Sequence, residues 1–200
     1  MAKLFFYYAA MGAGKSIDLL RTAYNYEENG YKVFVAKPKI DTKGEDKIVT
    51  RIGLERKVDY LIPEDDDVFE VLKRKLKGIS AIFIDEAQFL KREQVDEFFK
   101  VAHILDVPVM CYALRNNFQM NAFEGSFRLL EIADELHELK TMCRCGKTAR
   151  FNGRKVNGVF ATEGDVVVID GTDNVEYVPL CGDCFLREVK NIDFDKYREE

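Results

Sequence analysis

The segment that most constrains this chain runs from Leu4 to Arg21. An apolar, aromatic run gives way to Ala9, Ala10 and Met11, then to Gly12, Ala13, Gly14, Lys15 and Ser16, and then to a helical pattern. A strand, a loop of small residues and a helix N-terminus in that order form a phosphate-binding turn. Small residues leave the backbone N–H groups of Ala9 to Ser16 free to wrap a triphosphate, and the helix N-terminus adds positive potential. In that reading Lys15 reaches the outer phosphates of ATP and the Ser16 hydroxyl ligates Mg²⁺. The usual first glycine of such a turn is Ala9 here, which is tolerable only with negative φ. A Gly-Lys-Ser triplet alone arises by chance; one placed between an apolar run and a helical pattern has a mechanism behind it.

Further along, the pattern alternates between strands and helices. A helix is expected from about Ser16 to Asn29 with Ile17, Leu20 and Tyr24 on one face, stopped by Gly30. Val33–Ala36 reads as a buried strand. The polar stretch from Lys37 to Lys57 reads as a mobile excursion with a short strand near Ile48–Arg51. Asp66 or Asp67 can cap a helix over Val68–Lys77. Ala81–Asp85 is an apolar strand ending in an acid, Lys91–Leu105 an amphipathic helix, Val109–Leu114 a strand, Gly125–Ala133 a helix and Leu136–Thr141 a last sheet strand. Such alternation predicts an α/β fold, with a mostly parallel sheet of the P-loop NTPase type flanked by helices. Beyond Cys143 the texture becomes β-rich, with turn signals at Asn152-Gly153 and Asn157-Gly158 and short strands at Val166–Ile169 and Val175–Leu180. The expected organisation is therefore residues 1–141 as the nucleotide-binding domain, 142–190 as a small zinc-binding β domain and 191–200 as a charged tail.

Composition sets outer limits. With 47% hydrophobic residues in 200, the chain can bury one good core. A net charge of −5 argues against a nucleic-acid partner. No apolar run approaches the ~20 residues of a membrane span, and no signal peptide is visible, so a cytoplasmic protein with no membrane partner is expected.

Two groups of residues carry further chemistry. Asp85 ends an apolar strand where it could hold Mg²⁺ near Ser16, and Glu86 beside it could take a proton from an attacking hydroxyl. The bland alternative is that both acids cap the next helix. Cys143, Cys145, Cys181 and Cys184 form two close pairs suited to a structural, four-thiolate Zn²⁺, although the one-residue gap in the first pair is tight and free thiol pairs or a redox pair are alternatives. Phe89, Phe118, Phe123 and Tyr177 lie outside the obvious core; flat rings at loop positions could hold a base. Cys111 reads as core, and His103 and His137 receive no role.

Assembled in this order, these residues resemble the type II thymidine kinases, the cytosolic zinc-containing family, in its bacterial branch. The resemblance runs from Leu4 to about Arg187 and is carried by YYAAMGAGKS, by DEAQF from Asp85 to Phe89, by CYALRNNFQMNAFEGS from Cys111 to Ser126, and by Tyr177 four residues before Cys181. It implies ATP-dependent phosphorylation of the 5′-hydroxyl of thymidine, and of deoxyuridine, to the monophosphate. It implies Glu86 as the base and Asp85 with Ser16 at Mg²⁺. It places Phe89, Phe118, Phe123 and Tyr177 around the nucleoside, and Met11 and Leu114 by the thymine methyl. A lasso between the Cys pairs, including Val168, Ile169 and Gly171, would read the base through its backbone. It also implies a homotetramer inhibited by thymidine triphosphate. The chain departs from the family pattern at Asn116-Asn117, where the bacterial branch often has Thr-Asp; at Lys43, where Arg is frequent; and at Asp170-Gly171, where Gly-Gly is usual. Two other classes compete: an ATPase or switch in which Glu86 activates water, and a zinc-dependent nucleic-acid binder, which the acidic balance disfavours.

Overall fold

A computed structural model describes residues 1–166 and 174–197. The chain divides into two compact units: Met1–Tyr8, Gly14–Arg115 and Phe123–Leu139 form one, while Ala9–Ala13, Asn116–Ala122 and Lys140–Glu200 belong to the other.

The first unit is a six-stranded sheet with helices. Its elements are β1 (Leu4–Ala9), α1 (Lys15–Glu28), β2 (Val33–Pro38), β3 (Lys47–Val49), β4 (Glu55–Lys57), β5 (Tyr60–Ile62), α2 (Val68–Lys75), β6 (Ala81–Ile84), α3 (Arg92–Ile104), β7 (Val109–Leu114), α4 (Glu124–Ile132) and β8 (Glu135–Glu138). The strand order is β5-β2-β6-β7-β1-β8, with β1 parallel to β8, β2 parallel to both β5 and β6, and β6 parallel to β7.

Period-two alternation sorts the strand residues into two cores. Phe34, Ala36, Ile82, Ile84, Val109, Cys111 and Ala113 join Val68 and Leu72 of α2, Val95 and Phe98 of α3 and Leu129 of α4. Their neighbours Val33, Val35, Ala81, Phe83, Met110 and Tyr112 join Leu19, Leu20 and Ala23 of α1. Both faces are buried, which is why these strands are continuous apolar runs rather than alternating ones. Cys111 lies wholly inside, and burial pushes its thiol pKa up.

Several expectations shift. The buried stripe of α1 is Leu19, Leu20 and Ala23; Tyr24 is exposed and donates its hydroxyl to Glu28 instead. Gly30, at φ 81°, does end that helix, because no side chain opposes the left-handed turn. Asp67 caps α2 by accepting the Glu70 N–H at 3.0 Å. The polar stretch after β2 is a packed hairpin of β3 and β4. Ile48 and Val58 enter the α1-side core, and Arg56 forms a two-pronged bond to Glu27 of α1 at 2.8 and 2.9 Å. The last sheet strand is β8, one residue earlier and shorter than expected. It is a polar edge strand, Glu-Leu-His-Glu.

The second unit holds β9 (Thr141–Met142) paired with β10 (Thr148–Ala149), then β11 (Phe151–Val156), β12 (Val159–Ala161), β13 (Val175–Leu180) and α5 (Gly182–Glu188). The order of its three-stranded sheet is β12-β11-β13, antiparallel throughout. Thr141 thus pairs with Ala149 rather than continuing the large sheet. Asn157-Gly158 is the turn between β11 and β12, with φ of 51° and 80°. Asn152-Gly153 is no turn but the middle of β11. Gly153 is needed there because a Cβ would meet the Phe160 ring at 2.7 Å and Leu180 at 2.8 Å. Apart from Val166, the strand expected at Val166–Ile169 lies outside the described residues.

Candidate active site

In the turn between β1 and α1, positive φ falls on Gly12 and Gly14, both at 77°. Ala9 closes β1 in extended backbone, where a Cβ is no obstacle, so the missing first glycine costs nothing. Lys15, the first residue of α1, is buried. Ser16 donates its hydroxyl to Asp85 Oδ2 at 2.8 Å, so the start of α1 and the end of β6 meet. Asp85 is buried, and its Oδ1 has no hydrogen-bond partner. Burial first and the neighbouring Glu86 charge second raise its pKa to about 7, against the opposing pull of the Ser16 hydroxyl and Lys15. A buried carboxylate oxygen with free lone pairs beside a hydroxyl is a hard-oxygen donor set that fits Mg²⁺.

Glu86 itself sits at φ 50°, ψ 37°, a left-handed conformation that costs a non-glycine residue on the order of 1 kcal/mol. It opens a 3-10 turn over Ala87–Phe89. Its carboxylate accepts a hydrogen bond from the Gln88 side-chain amide, and Gln88 Oε1 accepts the Leu114 N–H at 3.0 Å. Ser126 donates to the Leu114 carbonyl at 2.6 Å, holding the same peptide segment from the other side. Gly125 admits this packing, since a Cβ there would lie 2.4 Å from the Ala87 carbonyl and 2.8 Å from that of Leu90. Phe89 and Phe123 meet edge to face at 5.8 Å and wall a cavity of about 250 Å³ with Ile40, Ile62, Leu90 and Gln94.

Near the end of β2, Lys37 is buried and donates to Asp41 Oδ2 at 3.0 Å and to the Lys43 carbonyl at 2.6 Å. Burial and the Glu86 charge raise the Asp41 pKa, with Lys37 opposing. The segment that carries the Arg-to-Lys departure at Lys43 is therefore anchored by its backbone. The polar stretch had suggested no such buried lysine.

In the second unit, the segment Ala9–Ala13 is fastened by Asn152, whose Asn-Gly pair predicts a turn but lies within β11. Met11 donates its backbone N–H to Asn152 Oδ1 at 2.8 Å, and Asn152 Nδ2 donates to the Asn116 carbonyl at 2.8 Å. Phe118 is buried, with the Arg154 guanidinium 3.6 Å above its ring. Arg154 also donates to the carbonyls of Glu163, at 2.9 Å, and Asp165. Tyr177, on β13, is half-buried and stands opposite Arg154 in register. Asn117, where the family often has Asp, accepts the N–H groups of Gln119 at 2.9 Å and Asn121 at 3.1 Å. A carboxylate would do the same, so this departure leaves the loop its own cap. Val168, Ile169, Asp170 and Gly171 lie outside the described residues.

The four sulfurs of Cys143, Cys145, Cys181 and Cys184 lie within 4.8 Å of one another. Tetrahedral Zn–S bonds of about 2.3 Å require sulfur separations of roughly 3.8 Å, so this donor set could bind zinc, with all four positions filled by protein. Around it Ala149, Leu180, Phe185 and Val189 make a small apolar core. Among the described residues no helix is long and apolar enough to cross a membrane.

Residues 2–185 match the family model described as thymidine kinase. A thymidine kinase of Enterobacteria phage T4 is 46% identical over 185 residues, covering 90% of this chain and 94% of its own. One from Francisella tularensis subsp. holarctica is 40% identical over 188 residues, covering 90% and 95%. Among solved structures, a replication initiator, DnaA bound to AMPPCP and single-stranded DNA, is 17% identical, covering 70% of this chain and 40% of its own at a TM-score of 0.43.

Proposed function

This chain belongs to the thymidine kinase family, and from that premise we propose how its own residues share the phosphorylation of thymidine to dTMP, with ATP as the donor that the family implies. The observation that carries the proposal is the meeting of Ser16 and Asp85 at 2.8 Å, with one Asp85 oxygen buried and unpaired. Ser16 and Asp85 would hold Mg²⁺, which when bound would offset charge on the phosphate oxygens. Lys15 and the backbone of Ala9 to Ser16, apart from the Met11 N–H that Asn152 holds, grip the triphosphate. Glu86 accepts the proton of the nucleoside 5′-hydroxyl as that oxygen bonds to the γ-phosphorus and the bond to the ADP oxygen breaks. Gln88 aims the Glu86 carboxylate. Phe89, Phe123 and Tyr177 contact the nucleoside, Phe118, buried with Arg154 over its ring, backs the base pocket, and Met11 and Leu114 lie by the methyl group. A base edge read through backbone groups, which the family resemblance implies for Val168, Ile169 and Gly171, would favour thymidine and deoxyuridine over deoxycytidine.

Zinc held by Cys143, Cys145, Cys181 and Cys184 is structural, since four thiolates leave no open position. Assembly as a homotetramer, inhibition by thymidine triphosphate and a cytoplasmic location rest on the family resemblance alone and complete the proposal.

The test is Glu86→Gln. With Mg-ATP and thymidine, turnover is expected to fall about 10²–10⁴-fold while both substrates still bind. Turnover within threefold of wild type would remove Glu86 from the role of base.

A further inference from the structure

Asn152 is buried at 1% exposure in the middle of β11, yet every polar atom of its side chain is used. Its carbonyl oxygen accepts the Met11 N–H at 2.8 Å; its amide nitrogen donates to the Asn116 carbonyl at 2.8 Å and lies 3.5 Å from Asn116 Oδ1. The partners fix the orientation of the amide, because Met11 N can only donate and Asn116 O can only accept. An aspartate would lack the donor, a leucine both functions, and a glutamine would be one methylene too long. The two groups that it joins are 105 positions apart in sequence. Met11 lies in the phosphate-binding turn, three residues before Gly14, and Asn116 opens the loop that carries Phe118.

We propose that Asn152 is a positioning residue for the transfer, holding the phosphate-binding turn and the nucleoside loop in one register so that donor and acceptor substrates are aligned together. The inference rests on the site reading above, since it takes Met11 as part of the phosphate turn and Phe118 as part of the base pocket. One arm of the amide takes the Met11 N–H out of the set that could face phosphate and thereby fixes the path of the turn. The other arm pins the first peptide of the nucleoside loop, and Asn117 then closes that loop on itself. The bond to Met11 and the bond to Asn116 can be broken separately, because they use different atoms.

Asn152→Asp keeps an acceptor for the Met11 N–H but sets a carboxylate oxygen against the Asn116 carbonyl, two acceptors face to face. With Mg-ATP, the expected result is a rise of about tenfold in KM for thymidine, with KM for ATP changed less than threefold. Asn152→Ser breaks both bonds without adding charge, and both KM values are expected to rise about tenfold. Zinc content and Tm are measured alongside. If Asn152→Asp does not fold, Asn152→Ser alone decides. A thymidine KM within twofold of wild type in the folded variants, or a loss confined to Tm and active fraction, would overturn the proposal and leave Asn152 a purely structural residue. So would equal rises in both KM values for Asn152→Asp. The Glu86→Gln measurement keeps the two ideas apart: if that variant stays active, it is the site reading that fails, whatever Asn152 does.

Discussion

Asp85→Asn should make the protein more stable and nearly inactive, and the pH dependence of the gain distinguishes this from an ordinary repacking effect. Asp85 is buried, with one oxygen bonded to Ser16 and the other unpaired. Its pKa is raised from 3.8 to about 7, chiefly by burial. Below pH 3.8 the carboxyl is protonated in both folded and unfolded chains and costs nothing. Between 3.8 and 7 the folded state holds a proton that the unfolded state has released, so stability falls as pH rises. Above 7 the full cost is present. At about 1.4 kcal/mol per pH unit this interval corresponds to a ceiling of about 4 kcal/mol, and water entry brings the working figure to about 2 kcal/mol. An asparagine of the same shape still accepts the Ser16 hydroxyl and never ionises. For a chain of this size, about 2 kcal/mol is roughly 4–8 °C in Tm. Scanning calorimetry without Mg²⁺ or nucleotide should therefore show Asp85→Asn melting about 4–8 °C above wild type at pH 8, and within about 1 °C of it at pH 4. Mg-ATP should raise the wild-type Tm and leave the variant nearly unmoved, with turnover reduced at least about 10²-fold. An equal gain at both pH values, or none at pH 8, would refute the argument that a buried charge is being carried for the sake of the cation.

Two further outcomes follow from packing and from the thiolate cluster. Gly125→Ala forces a methyl against the carbonyls of Ala87 and Leu90, on the turn that carries Gln88; a loss of about 2–4 kcal/mol in urea unfolding is expected, with kcat reduced more than KM is raised. Cys181→Ser removes one of the four proposed zinc ligands and the cap of α5, whose Cys184 N–H it accepts at 3.5 Å; metal analysis should show zinc lost to less than about half of wild type, and thymidine KM should rise through the unit that carries Tyr177. Absence of zinc from the wild-type protein would end the metal assignment.

The glycine turn between β1 and α1, the buried strands and the acid at the end of β6 were legible because their signals are local: an apolar run, a Gly-Lys-Ser, a strand followed by Asp85 and Glu86. The cysteine pairs were legible for the same reason, since thiolate spacing is a property of short segments. Asn152 was misread because Asn-Gly has a strong turn preference in isolation; here the glycine serves the Phe160 and Leu180 contacts, and the asparagine serves partners 36 and 141 positions away. Arg154 was invisible for a related reason, since nothing local marks an arginine that will end buried over Phe118. Lys37 looked like the start of a solvated stretch and proved to be the anchor of one. In α1 the error was one of phase: Tyr24 has an apolar ring, but its hydroxyl found Glu28, and the helix rotated Leu19 inward instead.

The side chain of Gln88 joins the Glu86 carboxylate to the main chain of Leu114, at the end of a strand that lies in the sheet interior between β6 and β1. Ser126 secures the same backbone from the far side. A residue on a three-residue turn, in a conformation it does not favour, is thereby given the steadiness of the framework behind it. The carboxylate proposed as proton acceptor thus has its aim set by the protein before any substrate arrives.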